Sequence, residues 1–499
     1  MRERSWWGWG WVDQTVTGAA LDELAARVGA FLPLSGEVAP IPAVPALKAP
    51  ALTAPPGVDA RSDDATRAAH THGKAYRDVV RNLRGDLAHS PDLVWFPHEV
   101  ADVERAMEYA AQVGAALIPY GGGTSVVGGI EYRGPERPVI ALDLSTLDSV
   151  LEVDPTCLAV RTHGGILGPA LEDRLRPHGL TLRHYPQSFE FSTVGGWLAT
   201  RAAGHFATGH THIDDLVESL EIVTPVGRVE TERVPASGAG PAPDRLWLGS
   251  EGALGVITSA WLRVRRRPAF KEGAAVSFES YADAVNATRE IAQAGLDPAN
   301  CRLLDQLESM LGAGASGGTS LLILGFESAD HPVDAALARA VELCRGHGGQ
   351  VANADPWRGT FLKAPYLRDG LARLGVVVET FETACTWTNL DRLQAAVVDA
   401  VAPAVVTCRF THVYPDGPAP YFTVYAASPR GREVEVWDEL KARVSRALLD
   451  NGGTITHHHA VGRDHVPWYQ PARVFDAALR AVKQTLDPHG VLNPGVLGL

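Results

Sequence analysis

The sequence predicts an α+β chain of two domains behind an N-terminal arm, and three observations carry that reading. Its 499 residues exceed what one simple core organises, so two or three domains are expected. Residues 92–96 read as a buried strand, Val103, Met107, Ala110, Ala111 and Ala115 recur at helical spacing, and residues 116–119 read as the next strand: a β-α-β unit ending in glycines. A composition shift after Arg265, Arg266, Arg267 and Pro268 then opens a second run of strands and helices, as expected for a domain with a mixed or antiparallel sheet.

Taken in order, Trp6, Trp7, Trp9 and Trp11 form a dense tryptophan cluster ahead of a short apolar helix over 19–32, read as a packed arm, with a membrane-interface anchor as the alternative. Residues 33–56 are rich in proline and alanine, a semi-rigid connector. Further strands are expected at 139–144, 159–162, 219–224 and 255–264. Beyond the composition shift, strands are expected at 274–278 and 319–325, helices at 281–294 and 333–346, and a last helix at 474–486.

A net charge of −13 without a basic tail or stripe excludes a nucleic-acid partner. A hydrophobic content of 45% with 21% charged residues is that of an ordinary globular enzyme. Cys157, Cys301, Cys344, Cys385 and Cys408 are scattered, with no Cys-x-x-Cys pair, which fits a reducing compartment. The start lacks a signal-peptide core and no apolar run reaches the roughly 18 residues of a membrane span, so a cytoplasmic protein with at most peripheral membrane contact is expected.

Three blocks carry the chemistry. Pro119, Tyr120, Gly121, Gly122, Gly123, Thr124 and Ser125 follow a strand; glycines let successive N–H groups form a concave anion nest, suited to a pyrophosphate. The loop is neither a Walker loop nor a Rossmann turn, since it lacks Gly-Lys-Ser/Thr and the helix-opening Gly-x-Gly-x-x-Gly. The second block holds His184, Gln187, Ser188, Phe189, Glu190, Phe191, Ser192 and Thr193, followed by Thr200, Arg201, Ala202 and Ala203. The third holds Glu251, Gly252, Ala253, Leu254, Gly255, Val256 and Ile257. Small, hydroxyl and glycine residues in all three would let several loops wrap one extended cofactor.

His457, His458 and His459 pose a choice between a metal site and a proton-handling wall. Neighbouring side chains in an extended segment point to opposite faces, which disfavours convergence on one ion. With no carboxylate or cysteine beside them in sequence, they are read as part of the wall, and no metal is assigned. His205, His210 and His212 are read as loop residues near the cofactor.

On these blocks the chain resembles the FAD enzymes built like vanillyl-alcohol oxidase. A narrower resemblance, to the alkylglycerone-phosphate (alkyl-dihydroxyacetonephosphate) synthase family, rests on Trp9-Gly10-Trp11 with Asp13, the Phe189 to Trp197 motif with Thr200-Arg201-Ala202, and Asp214-Asp215-Leu216-Val217. It rests also on Arg302-Leu303-Leu304-Asp305, Glu379-Thr380-Phe381-Glu382-Thr383, Thr407-Cys408-Arg409, and the triple histidine with Gly462. It covers nearly the whole chain. It implies an arm and connector over 1–88, a two-subdomain FAD-binding domain over 89–268, a mainly antiparallel cap (substrate) domain over 269–445, and a C-terminal segment, 446–499, returning to the flavin.

The same resemblance implies non-covalent FAD, its pyrophosphate on 119–125 and further contacts from His184, 187–193, 200–203 and 251–257. The implied reaction exchanges the acyl chain of acyl-dihydroxyacetone phosphate for a fatty alcohol through a flavin N5 adduct. Tyr421 would transfer a proton, His457 to His459 would relay it or orient substrate, Arg409 would clamp the phosphate, and Arg302 would be a second essential arginine. Thr423, Gln187 and His412 depart from the family pattern and bear on substrate choice. The alternatives are a flavin 2-hydroxyacid dehydrogenase or oxidase of D-lactate or glycolate type, with Arg409 or Arg302 gripping a carboxylate, and a non-catalytic flavin- or lipid-binding protein. Lipid substrates, a peripheral membrane contact and a homodimer are the expected partners.

Overall fold

The computed structural model describes residues 2–34, 36–206, 212–313, 318–352 and 362–499. Its first sheet contains β1 (Ala60–Arg61), β2 (Leu93–Trp95), β3 (Ala116–Tyr120) and β4 (Val139–Asp143) in the order β1-β2-β4-β3. β2 and β3 both run parallel to β4, and their side chains are almost all buried, which is why they read as unbroken apolar runs. The helix Val100–Val113 links β2 to β3 and ends at Gly114, whose φ of 68° closes its last turn.

The next strands are β5 (Val150–Asp154), β6 (Ala159–His163), β7 (Leu180–Thr181), β8 (Val217–Thr224), β9 (Gly227–Glu230), β10 (Val256–Arg263) and β11 (Arg265–Arg266). Five form an antiparallel sheet, β5-β6-β10-β8-β9, while β7 pairs with β11. The cap sheet is built from β12 (Phe270–Phe278), β13 (Asn300–Leu304), β14 (Ser320–Ser328), β15 (Gln350–Ala352), β16 (Val376–Glu382), β17 (Val405–Val413) and β18 (Pro418–Ala427). Its order is β15-β12-β14-β13-β17-β18-β16, with every adjacent pair antiparallel.

Strand alternation gives the cap sheet two different faces. Cys301, Leu303, Cys408, Phe410, Phe422 and Val424 enter the apolar core under the helices Tyr281–Gln293, Leu390–Val401 and Glu433–Asp450. The residues between them, Arg302, Arg409, Thr411, Tyr421, Thr423 and Tyr425, face a cavity.

Two expected boundaries need correction. The break at 88/89 cuts through the first sheet, because β1 pairs with β2, and the arm is divided between domains: Trp7, Leu21, Leu24 and Val28, with Tyr76 and Val79, pack into the cap core. The break at 445/446 falls inside the helix Glu433–Asp450, which buries Trp437, Leu440, Val444 and Leu448 against the cap sheet. Residues 491–493 lie along the edge of the first sheet. Leu117 N donates to Val491 O (2.8 Å) and Asn493 N to Leu117 O (2.9 Å), extending the edge of β3. All five cysteines are free.

Candidate active site

The three glycine blocks meet around one cavity of 410 Å³ between the first domain and the polar face of the cap sheet. Residues 119–125, Gln187, Ser188, Ser192, Thr193, Thr200, Ala202, Ala203, Glu251, Gly252, Gly255, Val256 and Ile257 all line it. The glycines are required by close approach. A Cβ on Gly122 would lie 1.7 Å from Phe191 O, and one on Gly123, at φ +68°, would lie 2.0 Å from the Tyr120 hydroxyl. Among the described residues no protein acceptor takes the N–H groups of Gly122, Gly123 and Thr124. A row of unsatisfied donors on a cavity wall suits a phosphate-bearing cofactor, so the loop fits the pyrophosphate of an FAD.

Glu251 joins the third block to the C-terminal segment. Its buried carboxylate accepts from Val461 N (2.9 Å) and Gly462 N (2.8 Å), and burial pushes its pKa up to about 7. Asn493 Nδ2 donates to both Glu251 O (2.7 Å) and Gly129 O (2.9 Å). Gly462 cannot be replaced without conflict, since a Cβ would sit 2.0 Å from Val127 O.

The histidine wall departs from the sequence reading in a decisive way. A carboxylate does stand beside it: buried Glu382, at the end of β16, accepts the N–H groups of His457 (2.5 Å), His458 (3.0 Å) and His459 (2.8 Å), and the Thr456 hydroxyl. The backbone therefore winds around a single buried carboxyl group, and the rings do not alternate as in a strand. His412, His457 and His458 bring ring nitrogens within 4.8 Å of one another, a grouping of the kind that holds a metal ion. His457 Nδ1 lies 2.9 Å from His458 Nδ1, and the Tyr414 hydroxyl lies 2.6 Å from His457 Nε2. Burial pushes the pKa of His457 and His458 well down and those of His412 and His459 to about 3, so these rings are neutral.

His458, His459, Tyr421, Arg302 and Arg409 all line the cavity. Arg409 Nη1 donates to Glu308 Oε1 (2.6 Å), and Glu308 Oε2 accepts from the Thr407 hydroxyl (2.5 Å). The expected phosphate clamp is thus already paired by a carboxylate that the sequence reading missed. Asp305 places Glu308 by accepting Glu308 N (2.6 Å) and Cys408 N (2.5 Å), tying the helix Gln306–Ala313 to β17. The Arg409 guanidinium lies 4.0 Å from the Tyr421 ring centre. Burial raises the Tyr421 pKa and this cation opposes the rise. Burial, then the neighbouring Arg409 charge, lowers Arg302 to about 9, a strain that an anion in the cavity would relieve.

Eight expected site residues do not line the cavity, each for a packing reason. Phe191 packs its ring against Trp9 and Trp11, Glu190 accepts from Trp11 Nε1 (2.7 Å), and Phe189 stacks on Tyr185. Arg201 pairs with Asp214 at 3.1 Å, while Ala253 and Leu254 are wholly buried. His184 lies behind the wall, 4.9 Å from the Trp197 ring, and His457 lies behind His458. His205 lines the cavity, His212 binds Arg201 O at 2.9 Å, and His210 lies outside the described residues.

Donor-rich glycine loops facing a sheet of buried arginine, tyrosine and histidine define an enzyme that holds FAD. Residues 91–232 match the FAD binding domain family and residues 267–497 the family of FAD linked oxidases, C-terminal domain. The alkyldihydroxyacetonephosphate synthase of Dictyostelium discoideum is 32% identical over 473 residues, 87% of this chain and 77% of that protein; the chain belongs to the alkyldihydroxyacetonephosphate synthase family. The synthase of Trypanosoma brucei brucei is 29% identical over 88% of this chain and 78% of its own length. A solved alkyldihydroxyacetonephosphate synthase structure superposes with a TM-score of 0.85 at 27% identity, covering 98% of each chain.

Proposed function

We propose that this enzyme exchanges the acyl group of acyl-dihydroxyacetone phosphate for a fatty alcohol. The observation that carries the reading is the meeting of Arg302, Arg409, Tyr421, His458 and His459 on the wall of the cavity that the three glycine blocks line. In the exchange the ester C–O bond breaks with its electron pair leaving on the fatty carboxylate, an ether C–O bond forms from the alcohol oxygen, and the alcohol proton departs. The three glycine blocks would hold FAD against this wall, and when bound it would supply the nucleophilic centre that the exchange needs.

The chain's own residues do the rest. Arg302, and Arg409 held straight by Glu308, meet the phosphate oxygens. Tyr421, under the Arg409 charge, moves the proton between oxygen atoms. The neutral imidazoles accept it. Exposed Val474 and Phe475, at the start of the helix Arg473–Leu486, support a peripheral contact with the membrane that holds the lipid substrates.

Labelled hexadecanol with acyl-dihydroxyacetone phosphate is expected to give a labelled alkyl product, and its absence with intact flavin overturns the reading. A glycolate oxidase subunit of Bacillus subtilis (strain 168) is also a relative, 23% identical over 81% of this chain and 88% of its own length. Anaerobic D-lactate and glycolate are therefore the control: bleaching of the flavin by either favours a hydroxyacid dehydrogenase.

A further inference from the structure

On the far side of the histidine segment lies a second cavity, of 650 Å³, lined by Tyr414, Asp416, Thr454, Trp468 and Gln470. Asp416, Thr454 and Gln470 are exposed, so it opens to solvent. Tyr414 is held in the turn between β17 and β18, where its N–H donates to Gly417 O at 2.9 Å. From there a hydrogen-bonded chain runs inward: Tyr414 hydroxyl to His457 Nε2 (2.6 Å), then His457 Nδ1 to His458 Nδ1 (2.9 Å). His458 lines the flavin cavity; His457 does not.

We propose that Tyr414, His457 and His458 form the exit route by which the proton released from the alcohol leaves the flavin cavity for solvent. The inference rests on the synthase reading, whose atom balance releases one proton per turnover beside a cavity wall rich in neutral imidazoles. A neutral imidazole has one N–H and one lone pair, which is what a relay link needs. Uptake of the proton at His458 Nε2 releases the proton on its Nδ1 to His457 Nδ1. His457 Nε2 then passes its own to the Tyr414 oxygen, and the phenol proton goes to water in the second cavity. One proton enters and one leaves, with no net charge stored in the protein.

The geometry around the chain serves this use. Glu382 holds the backbone N–H of both histidines, fixing the two rings relative to each other, and its Oε2 lies 3.4 Å from His458 Nδ1, beside the link that passes the proton. The His412 and His212 rings pack at 4.9 and 4.8 Å from His457, and burial keeps His412 uncharged as well.

The test uses FAD-loaded enzyme with acyl-dihydroxyacetone phosphate and hexadecanol, following product and, with an indicator dye, proton release. Tyr414→Phe is expected to keep flavin content and KM while turnover falls about tenfold or more. Added imidazole should restore much of that loss, which it would not do for a merely structural defect. His457→Gln is expected to give the same slow turnover with the same rescue, and so reads the route independently of Tyr414. Wild-type turnover and proton release in Tyr414→Phe, or slow variants that imidazole leaves slow, overturn the exit route while leaving the synthase reading standing. A wild-type enzyme that forms no ether product overturns both.

Discussion

Replacing Glu382 by glutamine changes one oxygen to an amide nitrogen and leaves the shape alone. Each carboxylate oxygen serves two donors: Oε2 accepts His457 N at 2.5 Å and His458 N at 3.0 Å, and Oε1 accepts His459 N at 2.8 Å and the Thr456 hydroxyl. The amide nitrogen would face two of these donors, and at least one is a backbone N–H that cannot turn away. An orphaned buried donor costs roughly 1–3 kcal/mol, so Glu382→Gln should lose about 2–4 kcal/mol of stability. Urea unfolding followed by tryptophan fluorescence reads this as a lower midpoint at constant slope.

Burial also lifts the Glu382 pKa from 4.5 to about 7, so the folded carboxyl keeps its proton where the unfolded one has lost it. Its contribution to stability is therefore present below about pH 4.5 and lost as pH rises through 7, and the variant should show a flatter profile across that window. A loss under about 0.5 kcal/mol with an unchanged pH profile would refute the carboxyl-centred turn.

Other outcomes follow from the same site. Tyr421→Phe should keep its flavin spectrum while turnover falls roughly 10²- to 10⁴-fold; unchanged turnover removes the phenol from proton transfer. Zinc ions added to the loaded enzyme should inhibit by drawing together the nitrogens of His412, His457 and His458, with recovery on chelation, and His412→Gln should be less sensitive. The folded chain keeps His184, His412 and His459 neutral down to about pH 3, against 6.5 when exposed. Their contribution is present above pH 6.5 and is lost as pH falls toward 3, so His412→Gln should reduce the acid-side slope of stability; an identical slope would refute it.

The strands that read well from sequence are those with one kind of surroundings. Residues 139–144 are a largely apolar buried run and appear as Val139–Asp143, and 159–162, opened by the buried Ala159 and Val160, appear as Ala159–His163. β16 is different: Glu379 and Glu382 lie among its valines on opposite faces, Glu382 in register with Tyr421 on the cavity side and Glu379 with Val424 on the side under the helices, and periodicity alone misses both. Glu379 is satisfied there by Trp437 Nε1 (2.6 Å) and Lys441 Nζ (2.9 Å), partners supplied by a helix more than fifty residues on. No local window of sequence contains that pairing.

By itself the sequence determined what is written in contiguous residues: three glycine and hydroxyl blocks for a flavin, the domain class, and a family resemblance running nearly the length of the chain. Loop backbone conformation and strand periodicity are local, so local residues suffice to state them. Tertiary structure alone decided how the buried charges are balanced. It placed Glu382 inside the histidine turn, set Glu308 on Arg409, and put His457 behind His458 on a path toward Tyr414. A buried charge takes its state from whichever groups the fold brings within a few ångströms, and here those groups come from strands and helices far apart in the chain.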